Sequence, residues 1–203
     1  VVYPPTFYKM MKLDLRLETT AKGIDPKAKT VEVEDKAGKQ ETLEYDSLII
    51  ATGSEPFVPP VKGIDKEGVY ALHTIEEGKT IEQAMKKAKS AVVIGSGLLG
   101  LEAAVALTEQ GVKTTVVEML PYILPRMLDQ DMAQEVQGRL EEKGLRIIVG
   151  HAAEEILGNG TVKGVSVARV KIPADLVINA AGVRPNTELC LLYTSDAADE
   201  EDS

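Results

Sequence analysis

The most informative chemical pattern in the chain is a glycine-rich loop, GSGLLG, that directly follows the apolar run AVVI. The loop consists of Gly95, Ser96, Gly97, Leu98, Leu99 and Gly100. Its first glycine permits a sharp turn from strand to helix, its second lets a diphosphate approach the backbone, and its third lets the helix pack closely on the strand. The amides and the dipole at the start of a helix attract an anion. We therefore predict that residues 95–100 bind the diphosphate of a dinucleotide.

An acidic residue farther along the chain indicates which dinucleotide the loop would bind. Glu118 ends the apolar run that follows the loop and the predicted helix. A carboxylate there accepts hydrogen bonds from the 2′-hydroxyl of the adenine ribose and repels a 2′-phosphate, so it favours NAD(H) over NADP(H). Residues 119–122, which begin with the predicted cofactor contact Met119, contain no arginine or lysine that would attract that phosphate. The alternative is that the glycines mark a tight turn in a fold that binds no nucleotide.

The elements around this loop alternate between strand and helix. The hydrophobic periodicity predicts strands at residues 91–94, 114–118 and 145–149, and helices at residues 75–89, 98–110 and from Asp129 or Asp131 to about 143. Short links in a βαβαβ order imply parallel strands with right-handed crossovers. Short meander strands are predicted at residues 155–157, 162–167 and 168–172, followed by an apolar strand at 175–180.

The first part of the chain has a different pattern. Leu13, Leu15 and Leu17 alternate with charged residues, which predicts a half-buried strand. Residues 30–35 and 41–45 flank an Ala-Gly turn and predict an antiparallel hairpin. The run SLIIA at 47–51 predicts a buried strand, and the proline-rich stretch at 55–60 predicts a linker that is neither helix nor central strand.

Composition and charge exclude several classes of protein. The chain has 23 basic and 32 acidic residues and a formal net charge of −9, which argues against a nucleic acid or an anionic membrane as a partner. One cysteine and two histidines far apart in the sequence argue against a zinc site. The single cysteine also fits a reducing compartment, so we expect a cytoplasmic protein.

Three stretches together resemble the FAD-dependent pyridine nucleotide–disulfide oxidoreductases. They are YDSLIIATGS at 45–54, the glycine loop with the following Leu101 and Glu102, and AAGVRPNTEL at 180–189. The residues of the last two stretches are most similar to those of one branch of the family. That branch contains NADH oxidases, CoA-disulfide reductases and NADH–rubredoxin or ferredoxin reductases. The resemblance implies an α/β chain: a three-layer Rossmann-like NAD-binding domain, with a parallel sheet and a small antiparallel meander, beside a partial FAD-binding domain.

The resemblance also implies roles for residues outside the glycine loop. Ala51, Thr52 and Gly53 match the family's strand end beside FAD. Glu102 matches a catalytic-site glutamate near the nicotinamide, although from the residues alone it could equally be a capping or exposed helix residue. The pair Ala181 and Gly182 matches a turn that closes the NAD-binding domain near the nicotinamide.

The function implied is hydride transfer from NADH to FAD and then to a disulfide, oxygen or a small redox protein, in a full-length homodimer. The implied domains are a partial FAD-binding domain with linker at 1–62 and the NAD(H)-binding domain at 63–190. The alternatives are an NAD(H)-binding module without turnover and a redox sensor that signals through NAD(H) occupancy.

The chain also departs from the family pattern. It has no FAD-binding GxGxxG motif before the hairpin, no redox cysteine after such a motif, no Gly-Asp strand end after residue 189, and no Asp-Gly turn in the meander near Ala168 and Arg169. We therefore expect an internal fragment of a longer enzyme that is inactive alone. The acidic stretch at 191–203 resembles translated adapter or vector sequence, and we expect a non-native or disordered tail there; its alternative is a solvated acidic tail.

Overall fold

The computed structural model describes residues 3–191, which form two compact units. Unit 1 comprises the described residues up to Gly53 and from Pro185 onward, and unit 2 comprises Ser54–Arg184. The helices are α1 (Pro5–Met10), α2 (Ile75–Met85), α3 (Leu98–Glu109), α4 (Gln130–Glu142) and α5 (Glu188–Leu191). The strands are β1 (Thr19–Asp25), β2 (Thr30–Asp35), β3 (Gln40–Glu44), β4 (Ser54–Pro56), β5 (Val69–Ala71), β6 (Ser90–Ile94), β7 (Lys113–Val117), β8 (Arg146–Ile148), β9 (Ala153–Leu157), β10 (Gly164–Val167), β11 (Val170–Pro173), β12 (Leu176–Asn179) and β13 (Val183–Pro185).

Unit 2 is built on a five-stranded parallel sheet with the strand order β5-β12-β6-β7-β8. Its central strand β6 pairs with both β12 and β7, so that Val93 lies between Ile178 and Val116. Helix α3 connects β6 to the parallel strand β7, as the sequence predicts. The short edge strand β5 was not predicted, because so short a run carries too little periodicity to be detected.

Alternate residues of the parallel sheet face two different layers. Ala91 and Val93 belong to a buried cluster that includes residues of helices α2, α3 and α4. Val92 and Ile94 point to the opposite face and pack with the antiparallel sheet β11-β10-β9, which contributes residues such as Val165. Strands buried on both faces read as continuous apolar runs, which is why AVVI is uninterrupted. The predicted α/β fold with three layers is confirmed.

The three long helices of unit 2 begin in two different ways. Helix α2 has a complete capping box, in which the Thr74 hydroxyl accepts from the Glu77 amide and the Glu77 carboxylate accepts from the Thr74 amide. Helix α4 is capped by Asp129, whose carboxylate accepts from the Met132 amide at 2.9 Å. Helix α3 is preceded by Gly97 at its capping position, and no side chain caps it. The first amides of α3 are therefore left for another acceptor.

An aspartate fixes the opposite end of the parallel sheet. The Asp175 carboxylate accepts hydrogen bonds from the amides of Lys89 and Ser90 and from the Ser90 hydroxyl, at 3.0 to 3.1 Å. These donors favour the ionised form, and the Lys89 amide has the largest effect in lowering the pKa of Asp175. The interaction aligns the start of β12 with the start of β6.

Unit 1 contains a three-stranded antiparallel sheet with the order β1-β2-β3. The predicted hairpin is confirmed by the pairing of β2 with β3, and Gly38 adopts a positive φ of 81° in its turn. Strand β1, which extends the hairpin, was not predicted. Ile24 is the one buried residue of unit 1 in the part of the chain that the structure describes.

Two strand predictions in unit 1 are wrong. Leu13, Leu15 and Leu17 lie in an irregular, exposed segment, and the run at 47–51 forms no strand, with Ile49 about 90% exposed. Apolar alternation describes a surface that can pair and pack, but a strand also needs a neighbour. Within residues 3–191 no strand pairs with either segment. The predicted tail is outside the described residues from 192 onward.

The proline-rich stretch after Gly53 is partly ordered into a strand. Strand β4 pairs with β13 in a two-stranded ribbon, so its proline lies in an edge strand, where it is tolerated. The compact units divide after Gly53 and after Arg184, whereas the sequence places the domain borders after residues 62 and 190. No helix in residues 3–191 is long and apolar enough to cross a bilayer.

Candidate functional site

The glycine loop forms a corner between β6 and α3, as the sequence predicts. Gly95 has a φ of +104°, and its amide donates to the carbonyl of Val117 at 2.8 Å. A Cβ on Gly95 would lie 2.3 Å from the carbonyl oxygen of Ala180. Both the backbone conformation and the lack of space therefore require glycine here.

Gly97 and Gly100 serve different purposes from Gly95 and from each other. A Cβ on Gly100 would lie 2.4 Å from the carbonyl oxygen of Gly95, so this glycine allows the helix to approach the loop. Gly97 has an ordinary φ of −68°, and a Cβ there would meet no atom within 4 Å. Its conformation does not require glycine, and the empty space beside it is what a bound group would use.

The space beside Gly97 faces the uncapped start of α3. The first four amides of a helix have no acceptor within the helix, and together with the dipole they attract negative charge. Leu98 and Leu99 form the first helical positions, and both are about half exposed. The corner can therefore hold an anionic group against backbone amides without any positively charged side chain.

Glu118 lies beside the same loop and is 9% exposed. Its Oε2 accepts hydrogen bonds from the Ser96 amide at 2.8 Å and from the Ser96 hydroxyl at 2.7 Å. Its Oε1 accepts from the Leu120 amide at 2.8 Å. The structure thus brings the two predicted parts of the site, the glycine loop and the acidic residue, into direct contact.

The segment after Glu118 lies beside the same loop. Met119 is 67% exposed. Leu124, which has a positive φ of 50°, donates its amide to the carbonyl of Ser96 at 3.2 Å. The contact of Leu124 with the loop was not predicted, because nothing in its residue type signals a backbone hydrogen bond to residue 96.

The turn at Ala181 and Gly182 lies close to the other side of the glycine loop. The Cα atom of Ala181 would lie 3.1 Å from a Cβ on Gly95, and Gly182 has a φ of +109°. The buried Asn179 fixes this turn, since its Oδ1 accepts from the Ala181 amide and its Nδ2 donates to the Phe57 carbonyl at 2.8 Å. Sequence reasoning missed Asn179, although a lone amide side chain at the end of the run LVIN was an available signal.

The remaining predicted residues occupy other places. Glu102 is exposed on α3, two residues after the loop. Ala51, Thr52 and Gly53 belong to unit 1, where all three are exposed. The Thr52 hydroxyl donates to the Asn186 carbonyl at 2.6 Å, and the Asn186 side chain donates to the Thr52 carbonyl at 3.0 Å.

Comparison with known proteins identifies the family. Residues 9–199 match the family described as "Pyridine nucleotide-disulphide oxidoreductase". The chain belongs to this family. The predicted family is therefore confirmed. Proteins of this family use FAD and NAD(P)H.

The similar proteins match this pyridine nucleotide-disulphide oxidoreductase chain over most of its length. An NADH oxidase of Methanocaldococcus jannaschii is 40% identical over 192 residues, which cover 93% of this chain and 43% of the relative. The NAD-dependent persulfide reductase from A. fulgidus is 38% identical with a TM-score of 0.85, covering 93% of this chain and 35% of that structure. The water-forming NADH oxidase from Lactobacillus brevis bound to NADH is 27% identical with a TM-score of 0.83, covering 93% of this chain and 42% of that structure. The chain thus spans less than half the length of each.

Proposed function

We propose that this chain binds NAD(H) at the corner between β6 and α3 and forms the NADH side of a flavoprotein oxidoreductase. The whole enzyme would pass hydride from NADH to FAD and then to a disulfide, oxygen or a small redox protein. The observation that carries the proposal is the combination at Gly97: an uncapped helix start, empty space where a Cβ would point, and the Glu118 carboxylate in contact with the same loop. These features fit a diphosphate and an adenine ribose.

The preference for NAD(H) over NADP(H) is part of the proposal. Glu118 supplies a negative charge where a 2′-phosphate would lie. An engineered variant of the Lactobacillus brevis enzyme, described as an NADPH oxidase bound to NADPH, supports this assignment. It carries substitutions at a glycine, at a later aspartate and the two positions that follow it, and at a proline farther along. At the same spacing this chain has Gly100, Glu118, Met119, Leu120 and Pro125.

The nicotinamide end of the cofactor would lie beyond the loop. We propose Ala181 and Gly182 as its neighbours, because this turn packs against Gly95. We also propose Glu102 as the catalytic-site glutamate near the nicotinamide. When bound, the flavin would accept the hydride and pass electrons on. The role of the residues in this chain would be to hold NADH in place with backbone amides and one carboxylate.

The flavin itself is proposed from the family and from the match of Ala51, Thr52 and Gly53. These residues are exposed in unit 1. We further propose that residues 1–62 are part of the FAD-binding domain and 63–190 the NAD(H)-binding domain. A homodimeric full-length protein in the cytoplasm, with a small redox protein or a disulfide as electron acceptor, completes the proposal.

A binding titration tests the first step. NADH added to the purified chain should show enhanced and blue-shifted fluorescence, with a dissociation constant at least about tenfold lower than that of NADPH. The matched variant Gly97→Ala should fold normally and lose this signal. If the unaltered chain gives no NADH signal, the nucleotide site is wrongly assigned.

A second assay separates the enzyme from a binding module. The absorption spectrum shows whether flavin co-purifies, and NADH oxidation with an artificial acceptor shows turnover. A colourless chain that binds NADH supports the module without turnover, and flavin with turnover supports the enzyme. A chain extended by the coding sequence that precedes Val1 should then bind flavin; if it does not, the flavoenzyme proposal fails.

A further inference from the structure

We propose that Ser96 is a positioning and specificity-determining residue, which holds the Glu118 carboxylate in the orientation that selects NADH over NADPH. The proposal deepens the function proposed above and rests on it. It assigns a task to the side chain at the first variable position of the glycine loop, in addition to the three glycines. The loop and the acidic residue then act as one unit.

The geometry that carries this inference is a two-donor contact from one residue to one oxygen. The amide and the hydroxyl of Ser96 reach the same Oε2 of Glu118, at 2.8 Å and 2.7 Å. Ser96 is completely buried and Glu118 is 9% exposed, so little water competes for these bonds. Hydrogen bonds to an ionised acceptor are about twice as strong as neutral ones. The hydroxyl therefore opposes rotation of the carboxylate.

The remaining contacts of Glu118 limit what a ligand can reach. The Leu120 amide donates to Oε1 at 2.8 Å, so three of the roughly four acceptor positions of the carboxylate are already used by the protein. The free position is on Oε1, the oxygen that does not contact Ser96. One ribose hydroxyl can donate there without displacing a protein donor.

The same contacts explain how Ser96 would affect selectivity. A carboxylate held from both sides cannot turn away from an incoming 2′-phosphate, so the full repulsion is felt by NADPH. The Ser96 amide is also used by Glu118, which leaves the diphosphate to the amides from Gly97 onward. Removing the hydroxyl would leave one backbone donor on each oxygen and lower the resistance of the carboxylate to rotation.

The decisive experiment measures dissociation constants of NADH and NADPH for Ser96→Ala in the full chain. We expect NADH binding to weaken about three- to tenfold, because a carboxylate that Ser96 no longer holds must be ordered when the ribose binds. NADPH binding should stay within about twofold, so the discrimination between them decreases. A control, Thr114→Val, removes another buried hydroxyl, which donates to the Val112 carbonyl and does not contact Glu118, and should leave both constants unchanged.

A double-mutant cycle separates positioning from a general effect on the loop. In the Glu118→Ala background, Ser96→Ala should no longer change the ratio of the two constants, because the carboxylate it orients is gone. Equal weakening of both cofactors by Ser96→Ala, or the same effect with and without Glu118, would overturn the proposal. If Ser96→Ala lowers the melting temperature too far to be assayed, Ser96→Cys, with its weak donor, should give an intermediate ratio, and an unchanged ratio would refute the role. Absence of NADH binding by the unaltered chain would instead refute the proposed function.

Discussion

The carbonyl oxygen of Ala180 occupies the position that a Cβ on Gly95 would need, at a separation of 2.3 Å. The end of β12 thus fits directly against the corner where β6 turns into α3. Two strands that are neighbours in the sheet but far apart in the sequence meet at this corner. Gly95, which the sequence assigns to the sharp turn, is therefore also required by packing, whereas the next glycine of the loop, Gly97, has free space beside it.

This difference predicts opposite outcomes for two alanine variants. Gly95→Ala should lower the free energy of unfolding by at least about 2 kcal/mol, because a positive φ and a backbone clash both oppose a side chain. Gly97→Ala should leave the melting temperature unchanged and weaken NADH binding by about tenfold or more, because its methyl group enters the space proposed for the diphosphate. Thermal unfolding and NADH titration of both variants test this. A destabilised Gly97→Ala, or one that binds NADH normally, would contradict the division of roles.

Changing four residues should reverse the cofactor preference. The substitutions are Glu118→Ala, Met119→Arg, Leu120→Ser and Pro125→Arg, by analogy of spacing with the engineered NADPH oxidase. Loss of the carboxylate should weaken NADH binding about tenfold or more, since a hydrogen bond to a charged group is worth about 1.5–3 kcal/mol. The new arginines should strengthen NADPH binding by a similar factor.

The measurement is again a pair of titrations, and Glu142→Ala on the exposed end of α4 is the control for the loss of one carboxylate. It should leave the ratio of the two constants unchanged, because it alters the net charge without touching the loop. An equal loss of both cofactors in the fourfold variant would show that Glu118 supports the fold rather than the ribose.

The part of the fold around the glycine loop could be predicted because its signals are local in the sequence. The strand predicted at 91–94 is found at Ser90–Ile94, and the helix predicted at 98–110 is found at Leu98–Glu109. An apolar run, a glycine loop and a helical period that follow one another directly determine these elements. The contact between the loop and Glu118 follows once the two strands are parallel neighbours.

What the sequence does not reveal depends on partners far away in the chain. Asn179 bonds the Phe57 carbonyl from a distant part of the sequence, and no pattern near either residue indicates the other. The runs at 13–17 and 47–51 are apolar, but the sequence does not say which strand would pair with them. Their exposed, irregular conformation in the described chain shows that apolar pattern alone is not sufficient for a strand.

The capping box of α2 should contribute measurably to stability. Thr74→Ala removes the hydroxyl that accepts from the Glu77 amide and should lower the free energy of unfolding by about 1 kcal/mol. The control Thr80→Ala removes a hydroxyl inside the same helix that bonds the Glu76 carbonyl, and it should be neutral or slightly stabilising. Chemical denaturation of both variants compares the two effects. Equal losses would mean that the stability of α2 does not depend specifically on its capping residue.

The Glu77 carboxylate gives this cap a defined dependence on pH. The Thr74 amide, followed by the His73 amide, lowers the pKa of Glu77 below its ordinary value of 4.5. A group whose pKa is lower in the folded state stabilises the fold fully above the unfolded pKa and loses this effect as the pH falls through the folded pKa. The stability difference between the unaltered chain and Glu77→Gln should therefore be largest near neutral pH and decrease below about pH 4.5. A difference that stays constant down to about pH 3 would contradict the ionised cap.

The turn between β10 and β11 should be improvable, because its two residues adopt conformations that glycine and asparagine prefer. Ala168 and Arg169 have φ values of 48° and 65° and connect strands that pair from Val167 to Val170. A two-residue hairpin turn with positive φ at both positions favours Asn-Gly. Ala168→Asn together with Arg169→Gly should raise the free energy of unfolding by about 1 kcal/mol, because a left-handed conformation costs other residues about 1–2 kcal/mol.

For a chain of this size that change corresponds to an increase in melting temperature of about 2–4 °C, which a thermal unfolding curve resolves. The bond from the amide of residue 169 to the Glu154 carboxylate is made by the backbone and is kept in the double variant. Arg169→Lys is the control, since lysine has the same backbone restriction, and it should leave the melting temperature unchanged. A lower melting temperature for the Asn-Gly variant would mean that the side chains of Ala168 and Arg169 stabilise the hairpin by more than their backbone strain costs.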